Sequence, residues 1–275
     1  MNNAIRVNGA TRLYAIVGDP VVQVRSPEVY CERFAQAGIN AVLVAAQVSP
    51  ANFDVAVPGL MALGNLDGLL VTAPFKARMA SLAQRLGSAA ACIGAVNALR
   101  RESDGSWSGD MFDGAGFVRG IERKGRRLQG RRVLLFGAGG AGSAIACALL
   151  VAGVASIRIV NPEAEKTEAL VAALRRTFAQ ADVQAAGDDR SGFDMVVNAS
   201  PVGMKPDDGL PGPLGPLSPE VLVGDVVVSE APTAIIREAV AHGSPWVNGH
   251  DMHSGQIEAI MAFFHPDAQR AASAA

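Results

Sequence analysis

Short β-branched runs alternate along the chain with longer Ala/Leu-rich stretches whose apolar positions recur every three to four residues. That rhythm predicts an α/β chain with mainly parallel sheets. In the first half, Leu13–Val17, Ala41–Ala46 and Leu66–Val71 read as strands. Ser26-Pro27 opens a predicted helix through about Ala37, with Ser26 as N-cap, Pro27 at the first helical position and Gly38 as the stop. A second helix is expected over Phe75–Leu86.

The stretch from Arg100 to Arg132 is rich in Gly, Ser and charge and contains Trp107. It reads as a short β excursion followed by passage into a second domain. The βαβ rhythm then resumes, with strands at Val133–Phe136, Ser156–Val160, Phe193–Asn198, Val221–Val228 and Pro245–Asn248. Helices are expected at Ala141–Ala152, Ala164–Ala179, Thr233–His242 and Ser254–Phe264. Pro206–Pro219 reads as a loop, and the final Ala/Ser stretch is expected to fray.

Composition narrows this picture. The 275 residues suffice for two compact domains, and 49% apolar against 18% charged residues suits a globular enzyme. A net charge of -2 supplies no bulk attraction to nucleic acid or an anionic membrane, and neither is expected as a partner. The densest basic stretch, Arg126-Arg127 and Arg131-Arg132, reads as solvated surface. The N-terminal MNNAIRVNGATR lacks the apolar core of a secretory signal, and no apolar run reaches the ~18 residues of a membrane helix. Cys31, Cys92 and Cys147 are scattered, so a reducing cytoplasm is the expected setting. His250, Asp251 and His253 lack the helical His-x-x-x-His spacing, and no metal is expected.

The strongest chemistry lies at Gly137-Ala138-Gly139-Gly140-Ala141-Gly142, between a predicted strand and a predicted helix. Gly137 permits the tight turn, Gly139 a close approach of pyrophosphate, and Gly142 close helix–strand packing. Phosphates would meet free amides at the helix N-terminus. The next strand ends at Asn161-Pro162-Glu163. Pro162 offers no donor, while Glu163 repels a 2′-phosphate and accepts from a ribose hydroxyl, which favours NAD over NADP. Glu163 as a solvated first-turn helix residue, and Lys166 as a cover for a helix face, are the alternative readings.

Several further motifs occur in one order. They are the Ser-Pro segment from Gln23 to Pro27, Val71-Thr72-Ala73-Pro74-Phe75-Lys76 and Gly94-Ala95-Val96-Asn97. Gly109-Asp110-x-x-Asp113-Gly114, the glycine loop, Asn198-Ala199-Ser200-Pro201-Val202-Gly203-Met204 and Gln256 follow. This series, spanning about Leu13 to Phe264, resembles the shikimate dehydrogenase family. The resemblance implies a substrate-binding domain over about residues 1–110, joined by a C-terminal helix at 250–275, and a Rossmann domain over 111–249. It places the active site in the cleft between them and implies reversible hydride transfer between a ring carbinol and a nicotinamide. It makes Lys76 and Asp113 the catalytic pair, with Lys76 exchanging the hydroxyl proton. Ser26, Thr72, Asn97 and Gln256 would bind substrate, a cyclic hydroxy acid. Asn161, Asn198, Ala199, Ser200 and Val228 would join the glycine loop and Glu163 on the cofactor side. A homo-oligomer is left open.

The departures bear on the substrate. The family's first serine of Ser-x-Ser-Pro is Val24 here, and an asparagine two residues before Thr72 is Leu70. A threonine is Ala98, an Asn-Thr pair is Met111-Phe112, and the usual tyrosine falls near Val228. In the resemblance Val24, Leu70 and Val228 remove three direct substrate partners, with Met111 and Phe112 standing behind them, and three lost hydrogen bonds weaken shikimate recognition by roughly 2–4 kcal/mol. A quinate or aminoshikimate dehydrogenase and a catalytically lapsed nicotinamide-binding sensor are the rivals. Arg25 as a compensating cation, and Ser229 and Glu230 as contacts to an altered substituent, stand beside plain surface roles.

Overall fold

A computed structural model describes residues 7–22, 24–205 and 207–266. Gln23 of the Ser-Pro segment, Pro206 of the expected loop, the start through Arg6 and the terminal Ala/Ser stretch lie outside the described residues. The chain forms two compact units: one runs to Met111 and resumes at Ile260, the other is Phe112–Ala259.

The first unit contains β1 (Arg12–Gly18), α1 (Ser26–Gln36), β2 (Ala41–Gln47), α2 (Phe53–Met61), β3 (Leu66–Val71) and α3 (Lys76–Ala80). There follow β4 (Arg85–Leu86), α4 (Ser88–Ile93), β5 (Ala98–Arg101) and β6 (Trp107–Asp110). The sheet order is β2-β1-β3-β5-β6-β4. β1 runs parallel to β2 and β3, but β5 is antiparallel to both β3 and β6. β4 pairs parallel with β6, so three of the five pairings are parallel, as expected, and β5 alone runs against its neighbours. The turn Glu102–Ser106, closed by a bond from the Glu102 amide to the Ser106 carbonyl, is too short for a parallel crossover.

Strand alternation divides the core. Ala15 and Val17 join Phe53, Val57, Phe75 and Met79 on one face. Tyr14 takes the other, its ring 4.8 Å from both Phe34 and Phe264. Ser26 is not the N-cap; that position is Arg25, and no side chain caps the helix. The expected helix over Phe75–Leu86 stops at Ala80, because the Gln84 amide bonds to the Trp107 carbonyl and draws the following residues into the sheet. α2 forms despite Pro58 and Gly59, with Pro58 on its exposed side.

The second unit holds α5 (Asp113–Arg123), β7 (Arg132–Phe136), α6 (Gly140–Val151), β8 (Ser156–Val160), α7 (Ala164–Thr177) and β9 (Asp182–Ala185). β10 (Met195–Asn198), β11 (Leu222–Asp225), α8 (Ala234–Ala241), β12 (Trp246–Val247) and α9 (Gly249–Phe264) complete it; α9 belongs to this unit through Ala259. Every pairing is parallel, in the order β12-β11-β10-β7-β8-β9. This is the doubly wound Rossmann arrangement, with its switch point between β7 and β10. Leu134, Phe136, Val196 and Val223 pack on Ile235, Ile236 and Ala239 of α8. α5 and β9 are absent from the sequence reading: glycines at 114, 116 and 120 depress the helical propensity of α5. α9 begins earlier than the expected Ser254, at Gly249. Among the described residues no helix is long and apolar enough to cross a membrane.

Candidate active site

The glycine loop leaves β7 at the switch point of the second sheet. Gly137 has φ +106°, and a Cβ there would lie 2.6 Å from the Ala199 carbonyl oxygen. A Cβ on Gly142 would come within 2.1 Å of the Gly137 oxygen. Cβ atoms on Gly139 or Gly140 would meet nothing within 4 Å, so this side of the loop faces open space. Gly139 is the extended N-cap of α6 and no side chain caps that helix. Tight packing behind the loop, open space before it and an uncapped helix start suit a dinucleotide pyrophosphate.

Asn161 braces this loop. Its Oδ1 accepts from the Ala138 amide at 3.2 Å, and its Nδ2 donates to the Glu163 carbonyl at 3.1 Å. Glu163 is exposed, and its carboxylate takes Lys166 Nζ at 2.7 Å. On the neighbouring strand, Asn198 is buried and donates through Nδ2 to Asp225 at 2.9 Å and to the Val202 carbonyl at 2.8 Å. Its Oδ1 accepts from Ser200 Oγ at 2.6 Å, which shapes the turn carrying Ala199 and Ser200. Asp225, fully buried, also accepts from the Thr233 hydroxyl and the Val227 amide. Burial pushes its carboxyl above the ordinary range, against the pull of those bonds. Val228 is 61% exposed.

In the first unit, backbone bonds gather three of the expected residues. Thr72 N bonds to the Val17 carbonyl at 3.0 Å, and Val96 N to the Lys76 carbonyl at 2.9 Å. Val71 N reaches the Asn97 carbonyl at 2.9 Å, and Asn97 N reaches the Asp110 carbonyl at 3.1 Å. Thr72, Lys76 and Asn97 therefore share one end of the sheet. Asp110, which the sequence reading uses only as part of a motif, is a half-buried brace there. Its Oδ1 accepts the amides of Ala90 at 2.9 Å and Met111 at 2.8 Å, and burial pushes its carboxyl upward. Ser26 stands half-buried at the start of α1. Leu70 and Met111 are 4% and 2% exposed.

Asp113 opens α5 and is 7% exposed; Gln256 Nε2 donates to its Oδ1 at 2.6 Å. His250 lies 3.1 Å from the Ser229 carbonyl, and Asp251 takes Lys124 Nζ at 2.6 Å. No cluster among the described residues could hold a metal ion. The sequence reading misses Asp225, the bracing role of Asp110 and the helix-contact glycines of α5. The spacing of Gly116 and Gly120, four residues apart and hence on one helical face, is the signal that could reveal the last of these.

Residues 16–99 match the family described as the shikimate dehydrogenase substrate binding domain, and residues 126–202 match one described as NAD(P)-binding. The shikimate dehydrogenase (NADP(+)) of Rubrobacter xylanophilus is 38% identical over 255 residues, covering 90% of this chain and 88% of its own. The crystal structure of shikimate 5-dehydrogenase from Listeria monocytogenes, in complex with shikimate and NAD, is 30% identical with a TM-score of 0.82, covering 91% of this chain and 90% of that one. Quinate dehydrogenase from Corynebacterium glutamicum in complex with NAD is 26% identical with a TM-score of 0.81, over 92% and 93% of the two chains. With both halves matched and a relative of this identity aligned over nearly its full length, the chain belongs to the shikimate dehydrogenase family.

Proposed function

We propose that this chain is an oxidoreductase that moves a hydride reversibly between the ring carbinol of shikimate, or a close cyclic hydroxy acid, and NAD. The observation that carries the reading is the convergence of Thr72, Lys76 and Asn97 at one end of the first sheet. Lys76 takes the hydroxyl proton during oxidation and returns it during reduction. Asp113 is its partner in the catalytic pair. Ser26, Thr72, Asn97 and Gln256 serve the substrate. The nicotinamide, when bound, supplies the hydride acceptor. The Gly137–Gly142 loop and the start of α6 hold its phosphates, Asn161 braces that loop, and Asn198, Ala199, Ser200 and Val228 line its far side.

Recognition of shikimate itself is weakened. Val24, Leu70 and Val228 put apolar side chains where the resemblance expects three hydrogen-bond partners of the substrate. Losing about three net hydrogen bonds costs roughly 2–4 kcal/mol, or ~30- to 1000-fold. A hydroxyl buried without a partner raises that cost further.

For the cofactor, Glu163 holds Lys166, and Pro162 offers no donor, so the turn after β8 presents an acceptor and not a cationic pocket. That supports NAD, although the curated relatives carry NADP(+) in their names. The deciding experiment titrates purified protein with NAD and NADP at saturating shikimate, quinate and amino analogues, with Lys76→Ala as the blank. NAD-linked turnover absent from the variant is expected, and the best acid identifies the substrate. Preference for NADP overturns the Glu163 argument. NAD binding with no turnover of any ring acid replaces the enzyme by a nicotinamide-binding sensor.

A further inference from the structure

We infer that Asp110 is a positioning residue for Asn97, gripping the segment from Ala90 to Asn97 at both of its ends; the inference rests on the reading of Asn97 as a substrate contact. The side chain holds one end, since Asp110 Oδ1 accepts the Ala90 amide at 2.9 Å. The main chain holds the other, since the Asp110 carbonyl accepts the Asn97 amide at 3.1 Å. A third bond, from the Met111 amide to the same Oδ1 at 2.8 Å, fixes the carboxylate itself. The chain between the two grips is closed on itself and on its neighbour. The Gly94 amide bonds to the Ala90 carbonyl at 2.7 Å, with Gly94 in the left-handed region at φ +72°, and the Val96 amide bonds to the Lys76 carbonyl at 2.9 Å.

Gly87 shows that the place of this carboxylate is built into the fold. It stands at the N-cap of α4, where serine, threonine, aspartate or asparagine ordinarily supplies the capping oxygen. Glycine has no side chain to do so, and Asp110 supplies the oxygen instead, from the end of β6. Gly87 has φ -66°, which any residue adopts, so conformation does not demand glycine there. Space does: a Cβ would fall 2.0 Å from Asp110 Oδ2 and 2.2 Å from its Cγ. Without the carboxyl group the Ala90 amide, one of the donors that a helix start leaves unpaired, loses its acceptor. The segment that ends at Asn97 is then held at one end only. A substrate contact carried on a loosened backbone must be ordered on binding, which weakens the affinity for the ring acid.

The test follows three quantities on the full-length protein: kcat and KM for the best ring acid, dinucleotide affinity by fluorescence, and hydrogen exchange of the peptide spanning residues 88–97. Asp110→Ala is expected to speed exchange across that peptide and to lower kcat/KM roughly tenfold, chiefly through KM, with dinucleotide affinity within about twofold of the parent. Asp110→Asn keeps an accepting oxygen and is expected to hold kcat/KM within about threefold of the parent. Gly87→Ala, which keeps the carboxylate but displaces it, is the second variant should Asp110→Ala fold poorly, and the same KM-led loss is expected. In the Asp110→Ala background Gly87→Ala is expected to add less than about twofold, because the three atoms nearest its Cβ all belong to the missing carboxyl group. Damage from Asp110→Asn equal to that from Asp110→Ala overturns the inference, as does unchanged exchange. A parallel loss of dinucleotide affinity overturns it too, and marks a general role in the fold. Asn97→Ala separates the inference from the reading beneath it. If that variant keeps the parent KM, the substrate reading of Asn97 falls and the positioning role falls with it. If it loses substrate affinity while Asp110→Ala keeps it, the positioning role alone falls.

Discussion

The side-chain amide of Gln256 and the carboxylate of Asp113 meet at 2.6 Å, although the two residues lie 143 positions apart in the chain. Their meeting depends on glycines that carry no chemistry of their own. Gly116 and Gly255 let two helix backbones approach until a glutamine on one reaches the first residue of the other. The quality of this site is therefore set by packing as much as by the polar residues.

Gly116→Ala is expected to destabilise the protein by about 1–3 kcal/mol, since the added methyl meets backbone as well as the base of a side chain and α9 must move away. Turnover should fall by more than the unfolded fraction explains, because Gln256 moves with α9. Thermal denaturation beside kcat, measured well below Tm, checks both. A variant with wild-type stability would show that the helices separate freely.

In the glycine loop, Gly142→Ala places a Cβ 2.1 Å from the Gly137 carbonyl oxygen, and that oxygen belongs to the backbone that would receive the pyrophosphate. Dinucleotide affinity is expected to drop at least ~tenfold. Fluorescence titration with reduced nicotinamide dinucleotide reads this directly. Undiminished affinity would remove the loop from the binding site.

Glu163 decides the cofactor argument. Glu163→Arg removes the carboxylate that holds Lys166 and adds a guanidinium suited to a phosphate. The ratio of kcat/KM for NADP over NAD should rise roughly tenfold or more. An unchanged ratio would mean that the 2′ position of the ribose lies elsewhere.

His265 makes stability in acid a property of the first unit. Its Nε2 lies 3.4 Å from the Tyr14 hydroxyl, its ring packs 5.9 Å from that of Phe34, and burial holds its pKa below the ordinary value against the opposing pull of Asp67. The unfolded chain therefore takes up a proton near pH ~6.5, while the folded chain resists until lower pH. Stability from the neutral ring is complete above ~6.5 and is lost as pH falls from there toward the folded value. Urea denaturation of the parent and His265→Gln at pH 5 and pH 7.5 should show a smaller acid loss in the variant. Equal losses would exclude the histidine as the cause.

The residues assigned to the dinucleotide were the most legible part of this protein. Gly137, Gly139 and Gly142 announce a phosphate turn because backbone conformation and close approach restrict those positions to one residue type, and the restriction shows in the sequence itself. The apolar runs of β1 and β3, and the Gly38 stop after α1, were readable for the same local reason. The short α3 was not, since the bond from Gln84 to the Trp107 carbonyl outweighs a helical pattern that runs on to Leu86. α5 was missed because its glycines argue against a helix until α6 and α9 are seen against it.

The chain by itself thus determined the two-part α/β organisation, the dinucleotide loop and the family, all of which rest on short-range constraints written into neighbouring residues. Only the tertiary structure decided that Asn198 and Thr233 share the buried Asp225, that Asp110 accepts an amide in the first turn of α4, and that Gln256 meets Asp113. Those pairings bring together residues that no local rule links, and burial, by removing water as a competing partner, is what makes a particular pairing worth forming.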